Sequence, residues 1–238
     1  MVNIGAIVVV IFSSLLKGIT GFGFALLSLP LLMIWYSPKE LIPVLVMCNL
    51  LASVFIILQK KEKKLIDKKF MSLIIFGGIF TISGVGVLKY IDEGFLIQIV
   101  SGLFIILCLL SIFKVRSNIN LPKWTYSLAG SIIGFLTGSI SVSGPPLALF
   151  LNQTNTSNQT FREVFAWFSI VTSVVAVVGY FIAGLISRQS IEMVLVFAPI
   201  LLIGAVLGKR LNAVIPAQLF KNISVVITLI SCVILLIS

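Results

Sequence analysis

The chain has 238 residues, of which 59% are hydrophobic and only 10% are charged, and its mean hydropathy is +1.22. Soluble domains carry about a quarter charged residues, so this composition excludes a soluble globular enzyme, a disulfide-stabilised secreted module and a disordered tail. The chain has seventeen Lys and Arg residues and only seven Asp and Glu residues. Because the positive residues crowd into short joints between apolar runs, we expect a lipid bilayer, and no nucleic acid, as the partner of this charge.

The chain is long enough for seven or eight hydrophobic segments at about 20 residues per crossing. We therefore predict an all-α polytopic membrane protein with little extramembrane structure. The first apolar run has no positively charged segment before it and no clear cleavage site, so we expect it to belong to the mature protein. In chain order the apolar stretches are 2–35, 41–58, 70–88, 95–113, 124–160, 163–187, 190–208 and 216–238.

Two of these stretches contain glycine-rich interruptions. The first stretch reads KGITGFGF over residues 17–24, and the fifth reads GSISVSGPP over residues 138–146. Glycine and proline disfavour a continuous helix. Irregular backbone at membrane depth is tolerated only where it lines a cavity or is buried in protein. We therefore predict a broken helix, or a re-entrant helical hairpin, at each interruption.

The two halves of the chain show a weak internal duplication. Thr20-Gly21 corresponds to Thr137-Gly138 at an offset of 117, and Gly84 with Lys89 corresponds to Gly204 with Lys209 at an offset of 120. Three apolar segments follow each interruption. We predict a first transmembrane repeat over 1–114, a cytoplasmic basic linker over 115–123 and a second transmembrane repeat over 124–238. Corresponding interrupted segments in two halves indicate a transporter's binding site.

The positive residues bear on how the two halves are oriented. If each interrupted segment crosses the membrane once, ten positive residues lie in the cytoplasm and six outside. If each is a re-entrant hairpin, the division becomes thirteen against three, which the positive-inside rule prefers. Each half then has three full crossings, an odd number, so the sequence favours two inverted repeats.

A helix that begins inside the membrane offers unpaired N–H groups and partial positive charge, which together attract an anion. Hydroxyl groups near both interruptions add neutral donors. We therefore predict a small anionic substrate. The alternative is that the glycines and serines only allow membrane helices to pack closely. The hydroxyl-bearing candidates are Thr20, Thr137, Ser139, Ser141 and Ser143.

Two further polar residues stand inside apolar stretches. Lys17 is a candidate for the positive charge of an anion site, with snorkelling to the interface as the alternative. Asn49 is a candidate donor to the ligand, with a hydrogen bond between helices as the alternative. The chain has no histidine, its three cysteines are isolated, and all seven carboxylates lie in or near the joints. We expect no metal, no cofactor and no enzymatic activity.

The two interruptions resemble the paired glycine-rich motifs of the sulfite exporter TauE/SafE family, also called the toluene sulfonate uptake permease family. The resemblance extends over essentially the whole chain. It implies a multi-pass transporter of the bacterial plasma (inner) membrane for sulfite, sulfonates or related anions. By resemblance, the substrate region includes Gly18, Gly21, Gly23, Gly138, Ser143, Gly144, Pro145 and Pro146.

These observations predict a carrier that binds a small sulfur-containing anion between the two interruptions and alternates access by moving one repeat against the other. Export is favoured because a membrane potential that is negative inside drives anions outwards. The alternative function is a membrane scaffold or assembly factor that moves no substrate. A homo-oligomer is compatible with either function.

Overall fold

The computed structural model describes residues 3–21, 23–58, 68–112, 121–154, 158–211 and 217–237. Within these ranges every regular element is a helix, which confirms the all-α prediction. The elements in chain order are α1 (Ile4–Thr20), α2 (Phe24–Leu32), α3 (Pro38–Leu58), α4 (Lys68–Tyr90), α5 (Glu93–Ile112), α6 (Lys123–Ile140), α7 (Gly144–Gln153), α8 (Asn158–Ala183), α9 (Arg188–Leu211) and α10 (Ala217–Ile237).

Five of the described helices, α3, α4, α5, α8 and α9, are long and apolar enough to cross a membrane. Helix α1 and the Asn222–Ile237 part of α10 are apolar but shorter. Large apolar side chains such as Ile79, Phe181 and Leu195 lie on the outside of the bundle, where each is more than half exposed. A surface of this kind is stable in lipid, and the chain is a multi-pass membrane protein.

Helices stop within both glycine-rich motifs. Helix α1 ends at Thr20, and the next residue, Gly21, has a φ of 84° and donates its N–H to the carbonyl of Lys17 at 2.8 Å. Helix α6 ends at Ile140, and the next residue, Ser141, has a φ of 60° and donates its N–H to the carbonyl of Thr137 at 3.0 Å. A residue in the left-handed region is a common way to end a helix. Each interruption therefore ends one helix with a carbonyl of its last turn bonded to the residue that follows the helix, and it begins another helix a few residues later.

The two halves pack through reciprocal helix pairs. Helix α1 packs against α9, and its counterpart α6 packs against α4. Helix α3 packs against α8, and α5 packs against α10. The hydroxyls of Ser53 and Ser169 link α3 to α8 at an Oγ–Oγ distance of 3.0 Å. Both helices that precede an interruption are thus held by the other half of the chain.

Glycines set the closest of these helix pairs. A β-carbon at Gly134 of α6 would overlap the carbonyl oxygen of Gly77 in α4, and one at Gly18 of α1 would overlap the carbonyl oxygen of Ala205 in α9. Such close backbone approach is typical of small residues in membrane helices. The glycine packing considered from the sequence therefore occurs at these crossings.

Some predictions concern residues outside the described ranges. Most of the predicted linker over 115–123 and most of the basic joint after α3 lie there. The boundaries of the two repeats, their inverted orientation and the re-entrant course of each hairpin stay predictions.

Candidate anion-binding site

A cavity lies where α2 and α7 begin. The space that the centre of a water molecule can reach in it measures about 20 Å³. One water needs about 10–15 Å³ of such space, so the cavity as described suits a small guest. Its lining residues are Lys17, Gly23, Phe24, Ala25, Leu26, Asn49, Ser141, Val142, Ser143, Gly144, Pro145 and Phe165.

The first half of the chain contributes the start of α2. Phe24, Ala25 and Leu26 are the first three residues of this helix, and all three line the cavity. The N–H groups at these positions have no acceptor within their own helix. Gly23, which precedes them with a φ of 103°, has no side chain that could accept their hydrogen bonds. The start of α2 therefore presents backbone donors and partial positive charge to the cavity.

The second half presents hydroxyl groups more than backbone N–H groups. Helix α7 begins Gly144-Pro145-Pro146. Proline has no N–H, and its ring is tolerated in the first turn of a helix, so Gly144 alone keeps an N–H among these three. Ser143 and Ser141 also line the cavity. The Oγ atom of Ser141 is buried and has no hydrogen-bond partner in the described structure, so an uncommitted hydroxyl is available there.

A buried cation completes the site. Lys17 is only 5% exposed, and its Nζ donates a hydrogen bond to Oδ1 of Asn49. Among the residues that the structure describes, no carboxylate lies within ion-pairing distance of Lys17. Because Oδ1 of Asn49 is engaged by the ammonium group, the amide N–H₂ of Asn49 is left as a donor. The lining therefore combines one positive charge with several neutral donors, a chemistry that suits an anion.

A model of the sulfite exporter TauE/SafE family matches residues 6–235 of the chain. The chain belongs to this family. No curated protein and no solved structure matches the chain. The TauE/SafE family is a transporter family, named for sulfite export. The family and the apolar helices together make this chain a membrane transport protein.

The structure of this TauE/SafE protein brings half of the sequence-predicted site residues to the cavity. They come from three different helices and from both interruptions. These residues are Lys17, Gly23, Asn49, Ser141, Ser143, Gly144 and Pro145.

The other predicted residues do not line the cavity. The hydroxyl groups of Thr20, Thr137 and Ser139 donate to carbonyls one turn earlier in their own helices, at 2.8, 2.7 and 2.8 Å. Gly18 and Gly138 lie in the helix crossings, against the backbones of α9 and α4. Gly21 follows the end of α1 and Pro146 continues the first turn of α7. Their positions indicate that these residues shape the interruptions from outside the cavity.

The sequence interpretation missed several lining residues. Phe24, Ala25 and Leu26 could have been found by counting, because the three residues after an interruption carry the free N–H groups of the new helix. Val142 lies between two predicted serines. Phe165 lies on α8 and stacks with Phe161 at a ring-centroid distance of 6.2 Å. No local pattern identifies Phe165, since only tertiary packing brings α8 to the cavity.

Proposed function

We propose that this protein transports a small sulfur-containing oxyanion of the sulfite type, through the cavity between the starts of α2 and α7. The ammonium group of Lys17 is buried and has no carboxylate partner in the described structure, which is the main support for an anionic substrate. A buried charge without a counter-charge is costly, and a bound anion would supply the missing charge. Membership of a family named for sulfite export supports the same assignment.

The neutral donors of the cavity suit a transported ligand, which must be released after it has bound. The N–H groups at the start of α2 and the hydroxyls of Ser141 and Ser143 can replace part of the hydration shell of an oxyanion. They hold it less tightly than a desolvated arginine clamp would. The cavity is small, with about 20 Å³ of space for the centre of a water molecule. This size favours sulfite, which has one sulfur and three oxygens, over a bulky aromatic sulfonate.

We further propose that the direction is export across a bacterial inner membrane. A potential that is negative inside supplies about 2.3 kcal/mol per charge for each 100 mV, which is enough to drive an anion outwards without a coupled ion. Alternating access would move one inverted repeat against the other around the fixed cavity. The reciprocal pairs α1–α9 and α6–α4 are the surfaces on which such a movement would occur. No chemical step is needed, and we propose that the chain is not an enzyme.

The proposal is tested by measuring sulfite efflux from proteoliposomes that contain the purified protein. Ser143→Leu places a bulky side chain in the cavity, and we expect it to abolish efflux. Ser231→Leu is the matched control, because Ser231 is a buried serine of α10 that donates to the carbonyl of Ile227 at 2.9 Å and lies outside the lining. Equal effects of the two substitutions would contradict the site. Absence of flux from the wild-type protein, with a membrane partner that co-purifies, would instead indicate a scaffold.

Ser141 combines a left-handed backbone conformation with a hydroxyl group that has no partner in the described structure. Its φ of 60° is strained for a residue with a β-carbon, and glycine adopts this conformation without that cost. Ser141→Gly should therefore stabilise the fold by about 1 kcal/mol, and it should slow sulfite efflux about fivefold because one hydrogen bond to the ion is lost.

The control for this prediction is Thr172→Val. The hydroxyl of Thr172 is equally buried but donates to the carbonyl of Phe168 at 2.8 Å. Melting temperature in detergent and initial efflux rate are measured on both variants. Unchanged efflux in Ser141→Gly would remove Ser141 from the site, and unchanged efflux is expected for Thr172→Val.

A further inference from the structure

The fixed charge of the cavity is small and can be counted. Lys17 is the charged residue among the residues that line it, and the others are apolar residues, glycines, a proline, serines and one asparagine. The charged group nearest in sequence to a lining residue on α8 is Glu163, which lies two residues before Phe165 and does not line the cavity. The side chains that line the cavity therefore carry a single positive charge.

The helix ends at the cavity orient hydrogen-bond donors, but they add little net charge to that of Lys17. The start of α2 carries about half a positive charge, and the start of α7 carries less, because two of its first three residues are prolines without an N–H. Each start follows within a few residues the end of another helix, α1 or α6, which carries about half a negative charge. The negative end of the preceding helix therefore offsets part of the positive charge at each start, while the N–H groups of the first residues of α2 still line the cavity.

The elements packed around Lys17 supply no further compensating charge. In its described residues α2 contains no ionisable side chain, and α10 contains only the thiol of Cys232 in its described side chains. Cys48 of α3 is a buried free cysteine that precedes Asn49 in the sequence. Helix α9 carries Lys209 and Arg210 in its last turn, and neither lines the cavity. Its carboxylate, Glu192, is exposed and pairs with Arg188 at 3.4 Å. The carboxylate of α3, Glu40, lies in the first turn of its helix, nine residues before Asn49.

We propose that the transported species is a monoanion, such as hydrogensulfite or a small alkanesulfonate, whose one negative charge is balanced by Lys17. This inference rests on the proposed transport function. A monoanion leaves the loaded cavity neutral, whereas a dianion such as sulfate or fully ionised sulfite leaves a net negative charge buried within the membrane. A buried net charge is strongly disfavoured. The charge of the lining therefore selects among oxyanions by valence, in addition to size.

The test is the charge that moves with each sulfite. Wild-type protein is reconstituted into vesicles with the same pH on both sides, a potential is set with a potassium gradient and valinomycin, and the sulfite distribution is measured at equilibrium. A monoanion should distribute tenfold for each step of about 60 mV, and a dianion about a hundredfold for the same step. Protein-free vesicles correct for leakage.

The dependence of the sulfite distribution on the potential gives the number of charges that move with each sulfite. A slope of one elementary charge per sulfite supports the inference. A slope of two, or protein-dependent flux that is insensitive to the potential, overturns it while leaving sulfite transport intact. No protein-dependent flux at any potential contradicts the transport function itself, so the two failures are distinguishable.

Discussion

Replacing Lys17 with glutamine is expected to reduce sulfite efflux by about ten- to a hundredfold. The substitution removes the positive charge of the cavity, and hydrogen bonds between a charged group and its partner contribute about 1.5–3 kcal/mol each. The fold should not weaken, because the deleted charge is buried and has no carboxylate partner in the described structure. The expected signature is therefore a strong loss of transport together with an unchanged or higher melting temperature.

The control for this prediction is Lys89→Gln. Lys89 lies in the last turn of α4, is exposed, and places its Nζ 5.6 Å from the ring centroid of Tyr90. It should leave efflux unchanged. A second variant, Lys17→Arg, keeps the charge and should recover part of the rate, although the bulkier guanidinium group fits the small cavity less well. If Lys17→Gln transported sulfite at the wild-type rate, Lys17 would not be the counter-charge.

Gly134→Ala is expected to cause the largest loss of stability among single-methyl changes. The added β-carbon would overlap the carbonyl oxygen of Gly77, and a backbone atom cannot move aside as a flexible side chain can. Overpacking of this kind costs about 1–3 kcal/mol. Separation of α6 from α4 would also disturb the helix that ends just before Ser141, so transport should fall together with the melting temperature.

Gly86→Ala is the matched control, because it adds the same methyl group to a glycine of α4 with no heavy atom within 4 Å of the new β-carbon. It should be neutral or stabilising by up to about 1 kcal/mol, since alanine favours a helix over glycine. The comparison uses thermal unfolding in detergent, followed by size-exclusion chromatography. Equal melting temperatures for the two variants would show that the α4–α6 crossing does not depend on glycine.

The sequence predicted the parts of the fold that depend on local pattern. Apolar length predicted helices, and the glycines and prolines of 17–24 and 138–146 marked the two interruptions. The family resemblance was also confirmed, over residues 6–235. The sequence could not tell which glycines pack and which face a cavity, because that depends on the facing helix. Gly18 and Gly138 meet neighbouring backbones, whereas Gly23 lines the cavity.

The sequence also could not tell which polar residues are bonded within their own helix and which have a free hydroxyl group. Thr137 and Ser141 are close in sequence, yet the hydroxyl of Thr137 is bonded within its helix while that of Ser141 has no partner in the described structure. The difference comes from the end of α6 just before Ser141, where the backbone leaves the helix. The sequence marked Lys17 and Asn49 as candidates only because they are polar residues inside apolar stretches. The structure shows that their two side chains contact each other.

We expect a small oxyanion to bind between the starts of α2 and α7, beside Lys17. The most direct test is anomalous diffraction from crystals of the wild-type protein grown with selenite, the selenium analogue of sulfite. The three cysteines are buried, which protects them from reaction with selenite. We expect a selenium peak in the cavity, within hydrogen-bonding reach of Lys17, Ser141 and the start of α2. Selenium bound elsewhere on a transport-competent protein, with this cavity empty, would show that the oxyanion does not bind here.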